Sequence, residues 1–347
     1  MTRVYITIDT ECREERRLGD NIQPMAGYDL RVWGRFANQR HALGIGLIMN
    51  ALNAHRLRAT FYVDPMGSVI FGQEGLHAVC HEIQGRGHDI QLHLHPIQRQ
   101  ADWITRRLSP PSDHLTDYDL DGQTALLKEG IELLVEAGVA RDDLVSFRAG
   151  HFSANEDTWR AMDRAGLRIS SNYNPCYADK GMALRPSPRF HEGEEPSGLF
   201  DTGLGVWELP ISNFVEPSGA RRHLQVTAIS LTEMKDILWQ ADALGVGEVT
   251  IVTHSFELYH LDDPELRRGR PNRLNIHRFR GLCDFLARHR DHFQVESVLA
   301  LGQRLKDDPL HQEGRVIPPP LLQGKRRHRY ERLLQQIYKR AEARIPF

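Results

Sequence analysis

Residues 1–11 read MTRVYITIDTE, a short run of apolar and β-branched residues that ends in two carboxylates. Such a run is typical of a buried β-strand. Residues 59–63, ATFYV, and residues 249–253, VTIVT, repeat the pattern. Segments with helical spacing of apolar residues separate these runs. Strands that alternate with helices favour a parallel sheet built from βαβ units, either as a barrel or as an open sheet.

The alternation extends over most of the chain. The predicted strands are Val4–Ile8, Ala59–Val63, His88–His95, Leu144–Arg148, Leu167–Ser171, Val206–Ile211, Val249–Thr253 and Phe293–Ser297. The main predicted helices are His41–His55, Leu76–Gln84, Gln123–Ala137 and Phe279–Arg288. Two further helices are predicted to begin at the capping boxes Ser153-x-x-Glu156 and Ser230-x-x-Glu233, the first of them ending at Gly166.

Size and composition exclude several classes of protein. The chain has 347 residues, with 44 Lys and Arg against 46 Asp and Glu. This length suits about two domains or one α/β barrel of about 250 residues with additions. The nearly neutral charge excludes a generally basic nucleic-acid-binding protein, so no nucleic-acid partner is expected. A hydrophobic content of 40% is that of an ordinary globular chain rather than a disordered one.

The cysteines and the N-terminus bear on the cellular compartment. Cys12, Cys80, Cys176 and Cys283 are widely spaced, which excludes a CxxC metal knuckle and a dense disulfide framework. No apolar run reaches the roughly 18 residues of a membrane span. The N-terminus lacks the apolar stretch of a signal peptide. We therefore expect a cytoplasmic protein with reduced thiols.

Side chains that carry chemistry follow four of the predicted strands. The carboxyl ends of parallel strands meet at one edge of the sheet, where α/β proteins bind their ligands. The sequence therefore predicts one active site formed by residues from these four strand ends. Its candidate residues are Asp9, Glu11, His93, His95, Arg148, His151 and His254. No GxGxxG or GxxxxGK[ST] motif follows a strand, which argues against a dinucleotide or P-loop site.

His93 and His95 lie two positions apart on a predicted strand and therefore project from the same face. Two imidazoles with one carboxylate form a common ligand set for a catalytic divalent metal. An HxH pair alone is equally typical of two half-exposed histidines at a strand end. Because Asp9 and Glu11 end a neighbouring strand, the combined pattern favours a metal site.

Six short motifs, in this order, resemble the NodB-like polysaccharide deacetylases, which form carbohydrate esterase family four. They are Ile8-Asp9-Thr10-Glu11, Ala59-Thr60-Phe61-Tyr62, Gly87-His88-Asp89-Ile90, Arg148-Ala149-Gly150-His151, Ser170-Ser171 and Ile251-Val252-Thr253-His254. The resemblance implies a distorted (β/α)₇ barrel over residues 1–306. Residues 97–120 and 176–205 are then insertions or long loops, and residues 307–347 form a C-terminal extension.

Two motifs depart from the family pattern. Thr10 separates Asp9 from Glu11, whereas the usual first motif has adjacent aspartates. The usual metal-binding histidines are four positions apart, whereas His93 and His95 are two apart.

The resemblance implies a metal-dependent hydrolase that removes an acetyl group from an N- or O-acetylated sugar. Glu11, His93 and His95 would hold the metal. Zn²⁺ is the first choice, with Co²⁺, Ni²⁺ and Mn²⁺ as alternatives. Tyr173 and Trp207 are candidates for stacking on a sugar ring, although core packing is the more typical role of such residues.

The resemblance also implies the roles of four other residues. Asp9 would be the general base, and Arg148 would orient it and keep it ionised. The backbone N–H of His151 would contribute to an oxyanion hole. His254 would protonate the leaving amine or alcohol.

Three functions remain open at this point. A saccharide precursor, for example one used in surface-polysaccharide assembly, is the first choice of substrate. The second is hydrolysis of a small cyclic amide, such as an allantoin-like compound, on the same barrel. The third is a carbohydrate-binding relative without activity.

The last predicted helix is strongly basic. Residues 325–344 contain eight Lys and Arg against two Glu, and Leu333, Leu334, Ile337 and Tyr338 form one apolar stripe at helical spacing. These features predict a solvated helix packed on the barrel. A surface that faces phosphate or a membrane is the alternative.

Overall fold

A computed structural model of the chain describes residues 1–178, 180–184, 198–265, 267–307 and 321–342. The predicted loop at 176–205 and the predicted extension at 307–347 thus lie partly outside the described residues.

The strands are β1 (Thr2–Thr10), β2 (Arg16–Leu18), β3 (Asn21–Gln23), β4 (Thr60–Val63), β5 (Asp89–Leu94), β6 (Ser146–Ala149), β7 (Ile169–Ser170), β8 (Phe200–Asp201), β9 (Trp207–Glu208), β10 (Asn213–Val215), β11 (Arg221–His223), β12 (Glu248–His254), β13 (Tyr259–Asp263), β14 (Arg268–Pro271), β15 (Phe293–Glu296) and β16 (Leu322–Gln323). The α-helices are α1 (Ile45–Ala54), α2 (Ser68–Phe71), α3 (Gln73–Gly85), α4 (Leu120–Glu136), α5 (Glu156–Ala165), α6 (Leu231–Ala243), α7 (Arg273–Arg288), α8 (Val298–Asp307) and α9 (Arg326–Glu342).

The main sheet has the strand order β12-β1-β4-β5-β6-β7-β9-β8. All neighbours along this path are parallel except β8 and β9. One edge of β1 pairs with β12, and the other pairs with β15 near its start and with β4 near its end. The curled parallel sheet with helices around it confirms the predicted distorted barrel.

The two faces of β1 have different environments. Val4, Ile6 and Ile8 belong to the large core cluster that the surrounding helices cover. The alternate residues face the barrel interior, where Tyr5 packs in a separate apolar cluster near the base. Thr7 and Asp9 follow above Tyr5 on the same face, because successive side chains of a strand point to opposite sides. The interior therefore changes from apolar at its base to polar at the strand ends.

Strand β5 repeats this arrangement. Its outward residues Ile90, Leu92 and Leu94 join the core. On the inward face, the fully buried Gln91 accepts hydrogen bonds from the backbone N–H groups of Val145 and Ser146. This amide therefore links β5 to the start of β6, below the functional residues.

Several predicted boundaries are wrong. Helix α5 is capped by Asn155, which forms a reciprocal capping box with Thr158, rather than by the predicted box at Ser153. The Asn155 side chain accepts from the backbone N–H of Thr158, which satisfies one of the free N–H groups at the helix start. The predicted strand Val206–Ile211 shortens to Trp207–Glu208. By contrast, the predicted cap Ser230 accepts from the backbone N–H of Glu233.

Among the described residues, no helix combines the length and apolar character needed to cross a membrane. The four cysteines are free thiols in the structure, as predicted.

We expect Gln91→Ala to lower the free energy of unfolding by about 2–4 kcal/mol, because it leaves buried N–H groups without an acceptor. Denaturant titration measures this change. The matched control is Gln294→Ala, a glutamine on the exposed side of β15, which should change stability by less than about 0.5 kcal/mol. Equal effects of the two substitutions would contradict the role of Gln91.

Candidate active site

Glu11, His93 and His95 meet at the carboxyl ends of β1 and β5. The Oε2 atom of Glu11 is 3.2 Å from Nε2 of His93 and 2.9 Å from Nε2 of His95. One potential ligand atom from each residue lies within 4.8 Å of the others, and all three residues are buried. The structure thus brings together the three side chains predicted to bind the metal.

The second ring nitrogen of each imidazole, the outer Nδ1 atom that points away from Glu11, also has a hydrogen-bond partner. His93 Nδ1 is 2.8 Å from the carbonyl oxygen of Arg148. His95 Nδ1 is 2.9 Å from Oδ2 of Asp113. A carbonyl or carboxylate that accepts from the outer nitrogen orients the ring and raises the basicity of the inner nitrogen, as is usual for metal-binding histidines.

This hydrogen bonding fits a divalent metal. The Arg148 carbonyl only accepts, so Nδ1 of His93 carries a proton. In the neutral ring, Nε2 then presents a lone pair towards the Glu11 carboxylate. Two electron-pair donors that face each other in a buried place need a cation between them. Imidazole and carboxylate are also the ligands that catalytic Zn²⁺ and related ions take.

The charges at this cluster are strongly coupled. Burial opposes ionisation of Glu11, but His95 and His93 lower the pKa of this carboxyl well below its usual value. Burial likewise opposes protonation of His95, but Asp113 and Glu11 raise the pKa of His95 well above its usual value. The site therefore favours a carboxylate beside positive charge.

Asp9 lies near the end of β1, two residues before Glu11, but has a different partner. Its Oδ1 accepts a hydrogen bond of 2.5 Å from the guanidinium of Arg148, a residue with no exposed surface. The guanidinium also donates to Oγ1 of Thr7 at 3.0 Å and to Oγ of Ser171 at 2.9 Å. It lies over the Tyr62 ring, 4.1 Å from its centroid. These contacts fix the Asp9 carboxylate inside the barrel.

His254 ends β12 on the other side of Asp9. Its Nε2 is 3.9 Å from Oδ2 of Asp9, and its Nδ1 is 2.9 Å from Oε1 of Glu257. Glu257 also accepts from Oγ1 of Thr253 and from the amide of Gln225. Burial lowers the pKa of His254, but Glu257 and Asp9 outweigh burial and raise that pKa to about 9.

The loop after β6 has an unusual backbone. His151 and Phe152 have φ values of 54° and 53°, in the left-handed region that residues other than glycine rarely adopt. Strain of this kind concentrates at functional sites. The His151 side chain is exposed, and its Nε2 is 2.9 Å from Oδ2 of Asp113. The role of its backbone N–H in an oxyanion hole stays a prediction.

The two predicted sugar-contacting aromatics lie elsewhere. Tyr173 is 4% exposed and packs edge-on against Phe200 in the core, which corresponds to its alternative role in core packing. Trp207 is half-buried in β9 and pairs with β7 and β8 at the far end of the sheet. A stacking role for Trp207 stays a prediction.

Three residues of the site were not found in the sequence. Asp113 lies in the segment predicted to be an insertion, where no strand end marks it. Glu257 follows His254 by three residues, a spacing that could have indicated a partner for the imidazole. The third is Arg31, which lies 3.8 Å from Oε1 of Glu11 and stacks on Phe256.

Known structures show a similar arrangement of strands and helices. The allantoinase Puue matches with a TM-score of 0.50 and 13% identity, over 90% of this chain and 92% of its own. The chain shares the distorted barrel fold of this structure. A Mycobacterium smegmatis protein, provisionally named a polysaccharide deacetylase, matches with a TM-score of 0.49 and 19% identity, over 92% of this chain and 93% of its own.

A family 4 carbohydrate esterase from Streptomyces lividans matches with a TM-score of 0.40 and 12% identity, over 85% of this chain and 91% of its own. No protein-family model and no curated protein matches the sequence. At 13% identity, the likeness to Puue shows the barrel fold alone.

Gly150→Ala tests the packing around His95. A methyl group at Gly150 would lie 2.5 Å from Nδ1 of His95, which is too close for the ring to keep its position. We expect Zn²⁺ affinity, measured by calorimetric titration, to fall at least about tenfold. Gly46→Ala is the control, because a methyl group there meets nothing within 4 Å. Unchanged affinity in the Gly150 variant would contradict the placement of His95 in the metal site.

Proposed function

We propose that this chain is a metal-dependent hydrolase that removes acetyl groups from an acetylated saccharide or saccharide precursor. The observation that carries the proposal is that the two carboxylates at the end of β1 have separate partners. Glu11 faces two imidazoles, whereas Asp9 faces a buried guanidinium and, on its other side, an imidazole. Amide and ester hydrolysis needs a polarised carbonyl, an activated water and an acid for the leaving group. This site offers a group for each.

Glu11, His93 and His95 would hold a divalent metal, with Zn²⁺ as our first choice. When bound, such an ion supplies Lewis-acid polarisation of the carbonyl and lowers the pKa of water. Asp113 and the carbonyl of Arg148 keep the two imidazoles in the orientation that exposes their inner nitrogens. These outer partners are part of the proposed metal site.

Asp9 is the proposed general base. Arg148 engages Oδ1, which leaves Oδ2 on the side of His254 to accept a proton from water. The buried guanidinium stabilises the ionised form of the carboxyl. Removing one member of a buried ion pair usually costs about 3–5 kcal/mol, so Arg148 contributes to stability as well as to the position of the base.

His254 is the proposed general acid. Its raised pKa keeps the ring protonated at neutral pH, ready to donate from Nε2 to the leaving nitrogen or oxygen. Glu257 acts on His254 rather than on the substrate, because it accepts from Nδ1 and holds the positive charge. It is therefore a positioning residue.

The aromatic ring we assign to the sugar is that of Tyr177. It is half-buried, stacks on His223 with centroids 5.8 Å apart, and meets Phe152 next to the strained loop. Burial, Cys176, Asp9 and Glu257 together raise the pKa of Tyr177. Sugar rings stack on aromatic side chains by their apolar faces.

Substrate screening tests the reaction class. We expect the metal-loaded protein to release acetate from N-acetyl sugars or nucleotide sugars. Hydrolysis of allantoin without acetate release would instead support the cyclic-amide alternative. Stoichiometric sugar binding with no hydrolysis of either class would support a carbohydrate-binding protein.

Asp9→Asn and Glu11→Gln should fail in different ways. Asp9→Asn should retain the metal and lose at least about 10²-fold in kcat, because the amide accepts no proton from water. Glu11→Gln should bind metal at least about tenfold more weakly, with activity partly recovered in excess metal. Metal analysis and kinetics measure both effects, with thermal melting to verify folding.

The control for these two variants is Asp121→Asn, whose side chain is 92% exposed and should affect neither property. Loss of metal in the Asp9 variant, with metal kept in the Glu11 variant, would exchange the two assigned roles.

The alkaline limit of activity should depend on His254. Burial lowers its pKa, but Glu257, Asp9 and Glu11 together raise it. Because the acid form is the active one, kcat should fall as pH rises through about 9.

Glu257→Gln removes the carboxylate that raises the pKa of His254 most. The pH at which kcat falls should therefore move towards the ordinary histidine pKa of about 6.5. A pH profile of kcat measures the shift. Glu156→Gln, an exposed position on α5, makes the same chemical change and should leave the profile unaltered. An unshifted profile in the Glu257 variant would contradict the pairing of Glu257 with His254.

A further inference from the structure

Helix α9 packs on the barrel through its polar face. His328 and Arg332 are 1% and 7% exposed. His328 Nε2 is 3.0 Å from Asp236, and the guanidinium of Arg332 pairs with Glu233 and Glu216. Ion pairs and hydrogen bonds therefore attach this helix to α6 and to the turn after β10.

The apolar stripe of α9 faces the opposite way. Tyr330 is 70% exposed, Leu333 54%, Leu334 68%, Ile337 56% and Tyr338 50%. These residues lie at positions i, i+3, i+4, i+7 and i+8, so they form one continuous face of the helix. We call this face the outer stripe. The prediction that the helix packs on the barrel is correct, but its apolar side is turned away.

This orientation is the reverse of what an amphipathic helix on a globular domain normally adopts. Such a helix buries its apolar stripe and exposes its charges. Most of the other exposed large hydrophobic residues are scattered singly over the surface, as is normal for a folded protein. A contiguous apolar patch, by contrast, marks an interaction surface. The outer stripe thus requires an apolar environment that the described residues do not provide.

The charge beside the stripe narrows the choice of partner. Residues 325–342 contain seven Lys and Arg against two Glu. Next to Tyr330 and Leu333 lies a groove of about 910 Å³ in which cations outnumber carboxylates. Its cations are Arg222, Lys325, Arg326, Arg329 and Arg332, and its carboxylates are Glu216 and Glu233. Because both carboxylates pair with Arg332, and Glu216 also with Arg222, the exposed Arg326 and Arg329 dominate the rim.

We propose that α9 lies on the surface of an anionic lipid bilayer, with the outer stripe in the interface and the arginines on the lipid phosphates. A basic helix with an apolar face and tyrosines at its borders is suited to this position. A second copy of the chain fits less well, because two such helices would bring like charges together. The inference does not depend on the proposed hydrolase activity.

Vesicle sedimentation of the full chain tests the proposal. We expect partition into phosphatidylcholine vesicles with about 30% phosphatidylglycerol to exceed that into phosphatidylcholine alone at least about tenfold, and to fall in high salt. Leu334→Glu with Ile337→Glu should abolish this partition. Leu18→Glu with Ile22→Glu is the control, because both residues are exposed on the β2–β3 hairpin, and it should leave the partition unchanged.

A second variant keeps the test informative if the stripe variant does not fold, as judged by thermal melting. Arg326→Glu with Arg329→Glu retains the stripe and should weaken binding at least about tenfold. Absence of binding by the wild type, or equal binding to neutral and anionic vesicles, would overturn the proposal. A wild-type dimer that the stripe variant dissociates, without lipid binding, would overturn it in favour of a second copy.

Discussion

The ion pair between Arg148 and Asp9 is the interaction on which the rest of the site depends. The Arg148 side chain is fully buried and satisfied by Asp9, Thr7 and Ser171. Its backbone carbonyl accepts from His93, so the same residue orients both the proposed base and a proposed metal ligand. Buried charge of this kind persists only with close partners, since an unpaired ion inside a protein costs several kcal/mol. The pair therefore ties the chemistry of the site to the stability of the barrel.

A strand places its side chains alternately, and this explains how two carboxylates take different partners. Asp9 and Glu11 share the inner side of β1, about two residues' rise apart. The lower carboxylate meets the guanidinium inside the barrel, and the upper one meets the two imidazoles at the rim. Thr10 separates the two carboxylates along the chain, and each has a different positive or polar partner. The Asp9-Thr10-Glu11 motif, in place of two adjacent aspartates, is thus compatible with separate functions for the two carboxylates.

Helix α9 illustrates a different use of amphipathic character. Its buried side consists of groups that need partners, such as Arg332 and His328, and the barrel supplies carboxylates from α6 and the turn after β10. Each buried charge is matched, so the polar contact is stable without an apolar seam. The apolar residues are then free to face outward. A sequence pattern alone shows that a helix has two sides, but the position of its charged partners decides which side is buried.

The sequence by itself determined the order of the parallel strands of the main sheet and of most helices between them, the inward direction of His93 and His95, and the set of polar residues at the strand ends, because these depend on local periodicity and on the parallel topology. Only the tertiary structure showed that Asp113 and Glu257 contact the imidazoles. A loop has no regular spacing of residues from which its position in the fold could be predicted. The core position of Tyr173 and the outward stripe of α9 were decided in the same way. An aromatic ring or an apolar stripe is compatible with either core or surface, and the choice depends on distant residues that fill the space beside it.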